Sequence, residues 1–252
     1  MRLDVFLYEN KIFSSRTKAM DAIKDGLVLY KGKIAKCSDD ISSLEEVEIL
    51  NRKVSFVSNG GYKLEKALND FNLEINGLVC ADIGASNGGF TDCLLKRNAK
   101  RVYAIDVGES QLDKSLLTSK VVVLDNTNAR FLTKETLGES VDLVVCDVSF
   151  ISLKHILLSV KNILKENGRA LLLIKPQFEC GKEYLGNSGI VKSKTARLNA
   201  CLDIYNHAIK LGLTPINITT APIKEKKNIE YVIFLENAIN EAFSLNLLNN
   251  LN

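Results

Sequence analysis

The sequence predicts an α/β protein in which a Rossmann-like, doubly wound sheet follows a small N-terminal α+β domain. The 252 residues are enough for one large domain or two smaller ones. From Gly77 onward, apolar runs of strand length alternate with helix-length segments, which is typical of parallel strands covered by helices on both faces. Residues 1–60 mix short helical and short extended patterns instead. We therefore expect two domains, 1–60 and 61–252.

The composition excludes several classes of protein. With 46% hydrophobic and 25% charged residues, the chain can bury a core and is not disordered. No stretch approaches the roughly 18–20 apolar residues that cross a bilayer, and the N-terminus lacks the apolar run of a secretory signal. The six cysteines are scattered without a Cys-x-x-Cys pair, so we expect reduced thiols and a cytoplasmic protein. Two histidines, His155 and His207, offer too little for a histidine-built metal site or a Ser-His-Asp triad, and no metal is predicted.

The N-terminal domain carries a segregated positive charge. Between Lys11 and Lys36 there are seven basic residues and two acidic ones, whereas the segment from Asp39 to Glu48 is acidic. Such a patch suits contacts with phosphate groups. A solvated helix face gives the same pattern, and composition alone does not decide between the two.

Two elements are predicted within this basic patch. Ser14-Ser15 precede an amphipathic segment as N-cap residues do, which predicts a helix that begins at Arg16 and is ended by Gly26. Its inward-facing residues are expected to be Ala19, Ala22 and Ile23. The segment LVLYKGKIAK predicts two short strands joined by a turn at Lys31-Gly32.

The strands of the second domain are predicted from five apolar runs. In order, these runs are LVCADIGA, RVYAIDV, VVVL, VDLVVCDVSF and RALLLIKPQF. The helix-length segments are FTDCLLKRN, SQLDKSLL, ISLKHILLSVKNILKENG and TARLNACLDIYNHAIKLG. Near the C-terminus, PINITTAPIKEKKNIEYVIFLE predicts a two-stranded hairpin and NEAFSLNLLNNLN a last amphipathic turn. This β-α order predicts a ligand crevice outside the carboxyl ends of the strands.

A glycine-rich turn follows the first of these strands and opens a helix. It reads Asp82-Ile-Gly84-Ala-Ser86-Asn-Gly88-Gly89-Phe90. Glycines let a ligand approach the backbone, and a helix N-terminus offers free N–H donors. The spacing is not Gly-x-Gly-x-x-Gly, and an acidic residue at the strand end suits an amine-bearing ligand better than a pyrophosphate. A tight turn without a ligand is the alternative interpretation.

The second strand ends at Asp106, whose carboxylate can accept hydrogen bonds from both hydroxyls of a ribose. Together, the acidic turn and this aspartate are similar to the S-adenosylmethionine (SAM) pocket of class I methyltransferases. The resemblance implies SAM as the cofactor, and NAD is the less favoured alternative.

An acidic and a basic residue follow the fourth and fifth strands. Asp147 lies in Cys146-Asp-Val-Ser-Phe150, and Lys175 precedes a proline. Neither the Asn/Asp-Pro-Pro-aromatic loop of amino-methyltransferases nor a Pro-Cys nucleophile is found in the sequence. Because both residues stand at the same edge of the sheet, a partly buried Lys175 oriented by a carboxylate could activate a hydroxyl group. A surface lysine or a structural ion pair would give the same pattern.

Three separated elements of residues 1–48 resemble the S4 RNA-binding domain. They are Arg-Leu-Asp at the start, Ser-Arg-x-x-Ala in the predicted helix and Gly-x-Val-x-x-x-Gly in the hairpin. In that family the helical face with the Ser-Arg element contacts the RNA backbone. The resemblance implies RNA contacts by Arg2, Arg16 and Lys18.

Motifs along nearly the whole chain resemble the TlyA family. In order, they are FVSNGGYKLEKAL, ADIGASNGGFTDCLL, AIDVGESQL, DLVVCDVSFISL, IKPQFECG and GIVK. This family comprises ribosomal RNA 2′-O-methyltransferases once named haemolysins, in which an S4 domain precedes a catalytic domain of the FtsJ/RrmJ type. The resemblance implies methylation of a cytidine ribose in large-subunit ribosomal RNA, with the small subunit as a further candidate substrate.

The same resemblance implies a catalytic tetrad of Lys63, Asp147, Lys175 and Glu230. Lys175 would activate the ribose 2′-hydroxyl with the support of Asp147, while Lys63 and Glu230 would hold the nucleotide and the network. The cofactor-binding residues it implies, together with those inferred above, are Asp82, Gly84, Ser86, Gly88, Gly89, Phe90, Thr91, Asp106, Asn128 and Asp147. Asn59 and Asn126 stand where the family pattern has charged residues. These differences bear on the expected contacts with RNA or on the geometry around the adenine of SAM more than on the methyl transfer itself.

Other functions remain open at this point. A non-catalytic RNA-binding assembly factor could keep the same fold without turnover, and a cytolysin would agree with the older family name. The missing long amphipathic or membrane-spanning segment makes the cytolysin unfavourable. A pseudouridine synthase can carry an S4 domain but has no use for the SAM turn. The sequence does not identify the oligomeric state.

Overall fold

The computed structural model describes residues 1–24, 27–41, 43–49, 55–109, 111–186, 188–222, 227–249 and 251. It divides into two compact units, Met1–Ser55 and Phe56–Asn252. Among the described helices, none combines the length and the apolar character that crossing a bilayer requires.

The N-terminal unit consists of two helices and a small antiparallel sheet. Its elements are α1 (Leu3–Glu9), α2 (Arg16–Lys24), β1 (Val28–Tyr30), β2 (Lys33–Ile34) and β3 (Val47–Ile49), with strand order β2-β1-β3. The predicted N-cap is confirmed, because Ser15 Oγ accepts from the backbone N–H of Lys18 at 3.2 Å. The three predicted inward residues of α2 are buried. Gly26, the predicted end of the helix, lies outside the described residues.

The predicted hairpin is also confirmed. Tyr30 pairs with Lys33, and the two residues between them have positive φ angles, 52° at Lys31 and 72° at Gly32. Two such residues in succession form the tight turn that matches the twist of antiparallel strands.

The C-terminal unit is built from alternating strands and helices. Its strands are β4 (Val79–Ile83), β5 (Arg101–Ile105), β6 (Val121–Leu124), β7 (Val141–Cys146), β8 (Leu164–Ile174), β9 (Thr214–Thr220) and β10 (Tyr231–Glu236). Its helices are α3 (Gly60–Asp70), α4 (Gly89–Lys96), α5 (Lys134–Leu137), α6 (Leu157–Ile163), α7 (Pro176–Glu179), α8 (Lys194–Lys210) and α9 (Asn246–Asn249). All the predicted strands of this unit are found.

The described strands of this unit form a seven-stranded sheet of order β6-β5-β4-β7-β8-β10-β9. Strands β4 to β8 pair in parallel, and β10 runs antiparallel to both of its neighbours. The chain therefore builds outward from β4 in one direction through β6 and then returns to the other side of β4 with β7. Ligands bind at such a reversal point, outside the carboxyl ends of the strands.

Helices cover both faces of this sheet. Alternate residues of β7 point to opposite faces, so Val144 and Cys146 join one core cluster and Leu143 and Val145 the other. Helices α3 and α4 supply the second cluster, and α6, α8 and α9 supply the first. The predicted Rossmann-like α/β architecture with an N-terminal α+β domain is confirmed.

Two predicted helices are shorter than expected. Within the described part of the segment SQLDKSLL, residues 111–117, a 3₁₀ turn forms at Lys114–Leu116, where Asp113 accepts from the backbone N–H of Ser115. This local side-chain bond competes with an α-helix. The segment after Ile151 forms a 3₁₀ turn at Leu153–His155 and then α6, and β8 already begins at Leu164.

The six cysteines are all free thiols. Four of them are buried in the C-terminal unit, and burial raises the pKa of these thiols: Cys80, Cys93, Cys146 and Cys201. The other two, Cys37 and Cys180, are partly exposed.

Candidate active site

The reversal point of the sheet brings the end of β4 and the end of β7 together. Strand β4 leads into the glycine-rich turn, and β7 leads into Asp147, whose backbone N–H donates to the carbonyl of Ile83 at 3.0 Å. Gly84 has a φ of +81°, and a Cβ at this position would lie 2.8 Å from the carbonyl oxygen of Asp147. Only glycine therefore allows the turn to lie against the end of β7 in this conformation.

Asp106 at the end of β5 supports the turn from the other side. Its carboxylate accepts from the backbone N–H groups of Ser86 and Gly108, both at 2.8 Å. Ser86 has a φ of +46°, an unusual conformation for a residue with a side chain, and this hydrogen bond helps to hold it.

A cavity of about 230 Å³ opens between the turn and the end of β7. Its lining residues are Ser58, Gly60, Gly84, Ala85, Ser86, Asn87, Gly89, Phe90, Asp147, Ser149 and Lys175. Half of the ten residues predicted to bind the cofactor line it: Gly84, Ser86, Gly89, Phe90 and Asp147.

The other five predicted cofactor residues lie outside this lining. Asp82 and Thr91 are fully buried, and the Thr91 hydroxyl donates to Asp82 at 2.6 Å. Gly88 is packed against Leu112 and Leu116. Asp106 holds the turn as described above, and Asn128 is exposed, accepting from the backbone N–H of Arg130 at 3.1 Å.

Burial dominates the electrostatics of Asp82. One of its carboxylate oxygens has no hydrogen-bond partner among the described residues. Burial raises the pKa of this carboxyl to about 7, while the hydrogen bond from Thr91 opposes the rise and the charge of Asp147 adds to it. The glycine-rich turn therefore follows a strand whose buried Asp82 is partly protonated near neutral pH.

The four residues of the predicted tetrad form one continuous chain of charged contacts. Lys63 Nζ lies 2.7 Å from Glu230 Oε2 and 3.5 Å from Asp147 Oδ2. Lys175 Nζ lies 2.5 Å from Asp147 Oδ1. Asp147 thus lies between two lysines, and the Lys175 side chain is only 9% exposed.

Lys63 remains positively charged in this arrangement. Burial would lower the pKa of its ammonium group, but the carboxylates of Asp147 and Glu230 outweigh burial and raise the pKa. Lys63 is therefore suited to hold charge in place and unsuited to accept a proton near neutral pH.

Ser149 is a residue of the site that the predicted set did not include. Lys175 Nζ donates to Ser149 Oγ at 2.8 Å, and Ser149 lines the cavity. Ser149 stands two residues after Asp147, a spacing that could have suggested it. Ser58, just before α3, and Gly60, the first residue of α3, also line the cavity, and no periodic pattern in the sequence points to them.

In the N-terminal unit, the structure brings two of the three predicted RNA-binding residues together. Arg2 Nε and Arg16 Nε donate to the two oxygens of Asp4, at 2.9 and 2.7 Å. Asp4 is buried, and although burial opposes it, the two guanidinium groups lower the pKa of this carboxyl. Both arginine side chains remain about half exposed, and Lys18 is exposed on α2. One buried carboxylate therefore fixes the orientation of two cationic side chains at a surface.

Two families of known proteins match the chain. Residues 56–237 match the FtsJ-like methyltransferase family, and residues 1–43 match the S4 domain. The 16S/23S rRNA (cytidine-2′-O)-methyltransferase TlyA of Mycobacterium tuberculosis is 38% identical over 96% of this chain and 92% of its own. The 23S rRNA (cytidine-2′-O)-methyltransferase TlyA of Campylobacter jejuni is 36% identical over 93% of this chain and 98% of its own. Hemolysin A of Brachyspira hyodysenteriae is 37% identical over 92% of this chain and 98% of its own.

Solved structures agree with these matches. A protein from Streptococcus thermophilus, described as a candidate hemolysin, has a TM-score of 0.75 and 32% identity, and the match covers 99% of this chain and 94% of the other. A protein from Listeria monocytogenes, described as a candidate SAM-dependent methyltransferase, shares the fold alone. Its TM-score is 0.53 and its identity 15%, and the match covers 70% of this chain and 97% of the other. With both domains matched in this order and relatives above 30% identity along most of its length, the chain belongs to the TlyA family, in which an S4 domain precedes an FtsJ-like methyltransferase domain.

Proposed function

We propose that this protein is a SAM-dependent methyltransferase that methylates the ribose 2′-oxygen of a cytidine in ribosomal RNA. The names of the relatives from M. tuberculosis and C. jejuni support the reaction and the substrate. Both of those relatives act on 23S rRNA by name, and the first also on 16S rRNA, so the large subunit is the leading substrate and the small subunit the second. An rRNA substrate, in naked RNA or in assembled subunits, also agrees with a cytoplasmic location.

The residues of the site fit SAM. A turn that only glycine can form, backbone N–H groups at the start of α4 and acidic side chains at the ends of β5 and β7 form a typical set for a ligand with an amino-acid end and a ribose. The cavity of about 230 Å³ is smaller than the roughly 300–1,000 Å³ of pockets that enclose a whole ligand. It would therefore hold one end of the cofactor, while Asp106 and Asn128 would hold the other end outside it.

Lys175 is the residue proposed to take the proton. When bound, SAM supplies an electrophilic methyl carbon, and the ribose hydroxyl must lose its proton as it attacks. Lys175 lines the cavity, and contacts with Asp147 at 2.5 Å and Ser149 at 2.8 Å fix the position of its Nζ. The proton would pass to the lone pair of Lys175 Nζ, and Asp147 would stabilise the ammonium ion that results.

Lys63 and Glu230 are proposed to hold this pair in place. Lys63 contributes a permanent positive charge to Asp147, and Glu230 fixes Lys63 at 2.7 Å. With this charge on one carboxylate oxygen, Asp147 keeps the other oxygen directed at Lys175.

The N-terminal unit is proposed to bind the RNA backbone. Arg2 and Arg16, oriented by Asp4, and the exposed Lys18 provide cationic groups of the kind that contact phosphates.

One observation carries the proposal: a buried lysine on the cavity wall, in contact with a carboxylate that a second lysine also contacts. The test is transfer of labelled methyl from SAM to isolated 50S subunits, 30S subunits and naked rRNA. We expect Lys175→Ala to lose roughly 10² to 10⁴ in rate, the usual contribution of a general base, and to keep its SAM affinity by calorimetry.

Lys165→Ala is the matched control. Lys165 pairs with Asp142 at 2.6 Å and joins the same two strands, β8 and β7, at the opposite end of the sheet. This variant should keep the wild-type rate. Incorporation that depends on Lys175 and blocks 2′-O-sensitive primer extension at a cytidine would support the proposal. SAM binding without incorporation into any substrate would favour a non-catalytic RNA-binding factor, and equal rates for Lys175→Ala and wild type would overturn the mechanism.

A further inference from the structure

Two short segments carry the proposed reaction, and both leave the sheet at the same edge. The first follows β7 and contains Asp147 and Ser149, the two residues in contact with Lys175. The second follows β8 and contains Lys175 and α7. Lys175 is the N-cap residue of α7, and its backbone carbonyl accepts from the N–H of Phe178 at 2.8 Å. The distance between Lys175 and its two partners depends on how these segments lie against each other.

Glu179, at the end of α7, links the two segments outside the cavity. Its Oε2 accepts from the Ser152 hydroxyl at 2.6 Å, and its Oε1 accepts from the backbone N–H of Leu153 at 2.8 Å. Burial raises the pKa of this carboxyl, and these two hydrogen bonds oppose the rise. Of the other charged groups near it, Lys154 also opposes the rise and Asp203 adds to it.

The segment that Glu179 holds is conformationally strained. Phe150 has a φ of +65°, a region in which a bulky side chain is a genuine outlier, and its side chain is 91% exposed. Such a conformation persists only where the surroundings enforce it. Phe150 lies in the sequence between Ser149, which is hydrogen-bonded to Lys175, and Ser152, which is hydrogen-bonded to Glu179. The ring of Phe150 also contacts that of Phe178 in α7, with centroids 5.2 Å apart.

We propose that Glu179 is a positioning residue for the methyl-transfer reaction, acting as a clamp that holds the segment after β7 against α7 and thereby keeps Asp147 and Ser149 on Lys175. The inference deepens the proposed function and rests on it. The clamp requires hydrogen-bonding geometry and does not require a negative charge. A glutamine at this position could accept from Leu153 and donate to the Ser152 oxygen.

The test compares Glu179→Ala, Glu179→Gln and Ser152→Ala with wild type, using kcat, KM for rRNA and SAM affinity. We expect Glu179→Ala to lower kcat by roughly 10- to 100-fold, since a displacement of about 1 Å at reacting groups can cost 10²-fold, with KM and SAM affinity unchanged. Glu179→Gln should recover the wild-type kcat. Ser152→Ala removes one of the two hydrogen bonds to Glu179 and also the hydroxyl that accepts from the backbone N–H of Lys154 at 3.2 Å. This variant should fall between them and provides the test if Glu179→Ala does not fold.

Asp142→Ala is the matched control for lost stability. Asp142 also accepts a backbone N–H, from Val79 at 2.9 Å, and links neighbouring strands at the far end of the sheet. We expect this variant to lower the melting temperature and to leave kcat unchanged. A normal kcat in Glu179→Ala, or an equal loss in Glu179→Gln, would overturn the clamp.

Amide hydrogen exchange separates failure of the clamp from failure of the proposed function. Glu179→Ala should accelerate exchange in residues 148–153, and Glu179→Gln and Asp142→Ala should not. This readout needs no turnover, so it decides whether Glu179 holds the segment even if the wild-type protein transfers no methyl group. Unchanged exchange in Glu179→Ala would contradict the proposal.

Discussion

Two acidic side chains at neighbouring strand ends have opposite environments. Asp147 lies between the side-chain nitrogens of Lys63 and Lys175, whereas Asp82 is buried beside the hydroxyl of Thr91. The second environment disfavours a carboxylate ion, because burial outweighs the hydrogen bond from Thr91. The same edge of the sheet therefore contains one acid that contacts two lysines and another whose protonation affects the stability of the fold.

The raised pKa of Asp82, about 7 against an ordinary value of 3.8, predicts a pH-dependent stability. The folded state binds this proton more tightly than the unfolded chain, so the associated stability is fully present below about pH 4 and is lost as the pH rises through 7. This pKa difference corresponds to a change of at most about 4 kcal/mol in the free energy of unfolding. Without SAM, the free energy of unfolding of wild type should fall relative to Asp82→Asn between pH 4 and pH 8, as measured by urea denaturation.

Thr91→Val serves as the control for this prediction. The hydroxyl of Thr91 favours the ionised form of Asp82, so its removal should steepen the loss of stability with rising pH. Parallel curves for wild type and Asp82→Asn would mean that Asp82 has an ordinary pKa in the folded protein.

The sequence predicts one half of the tetrad more readily than the other. Asp147 and Lys175 follow apolar strands, and the topology alone places both at one edge of the sheet. Lys63 and Glu230 lie within a helix and before the last strand, and neither position differs from a solvated one in its periodicity. The tertiary fold brings Lys63 to Asp147 and Glu230 to Lys63, so only the family resemblance pointed to them.

At the level of elements, the glycine turn after β4 determines the shape of the cavity. Gly84 and Gly138 have the same φ, +81°, but a Cβ would lie 2.8 Å from the Asp147 carbonyl at Gly84 and would meet nothing within 4 Å at Gly138. A side chain at either position would be strained by the positive φ, but only at Gly84 would its Cβ also collide with a neighbouring backbone atom.

This difference predicts distinct effects of two alanine substitutions. Gly84→Ala and Gly138→Ala should each lose stability from the positive φ, on the order of 1–2 kcal/mol. Gly84→Ala should in addition displace Asp147 and weaken SAM binding by calorimetry, while Gly138→Ala should bind SAM as wild type does. Equal SAM affinities in the two variants would show that the close approach of Gly84 to Asp147 has no bearing on the cofactor.

The elements that were predicted incorrectly are those decided by tertiary contacts. The segment SQLDKSLL has the length and composition of a helix, but Leu112 and Leu116 pack against Gly88 of the glycine-rich turn and Asp113 caps a short 3₁₀ turn. In contrast, the long helix α8 and the antiparallel pair of β9 and β10 were predicted correctly. Their patterns extend over enough residues to determine the structure locally.

For the whole molecule, the division into two units predicts two separable activities. Arg16 lies in the unit Met1–Ser55, and the tetrad lies in the unit Phe56–Asn252. If Arg16 contacts a phosphate, Arg16→Ala should weaken rRNA binding and reduce the slope of log K against log salt by about one, without a change in SAM affinity.

Lys24→Ala is the matched control for this prediction. Lys24 is exposed at the end of the same helix α2 but is not among the predicted RNA contacts. If Lys24→Ala reduces the slope of log K against log salt as much as Arg16→Ala does, the attraction to rRNA is diffuse and electrostatic. The result would then speak against a specific contact by the arginines that Asp4 orients. Lys175→Ala should show the complementary behaviour, with normal rRNA binding and lost turnover.

The distribution of the cysteines makes the native chain suitable for spectroscopy. The four buried thiols are shielded from reagents, whereas the two partly exposed ones, Cys37 and Cys180, lie one in each unit. A donor and an acceptor dye can therefore be attached to the wild-type sequence without an engineered site. Fluorescence energy transfer between them would follow the separation of the S4 unit and the methyltransferase unit as a ribosomal substrate is added.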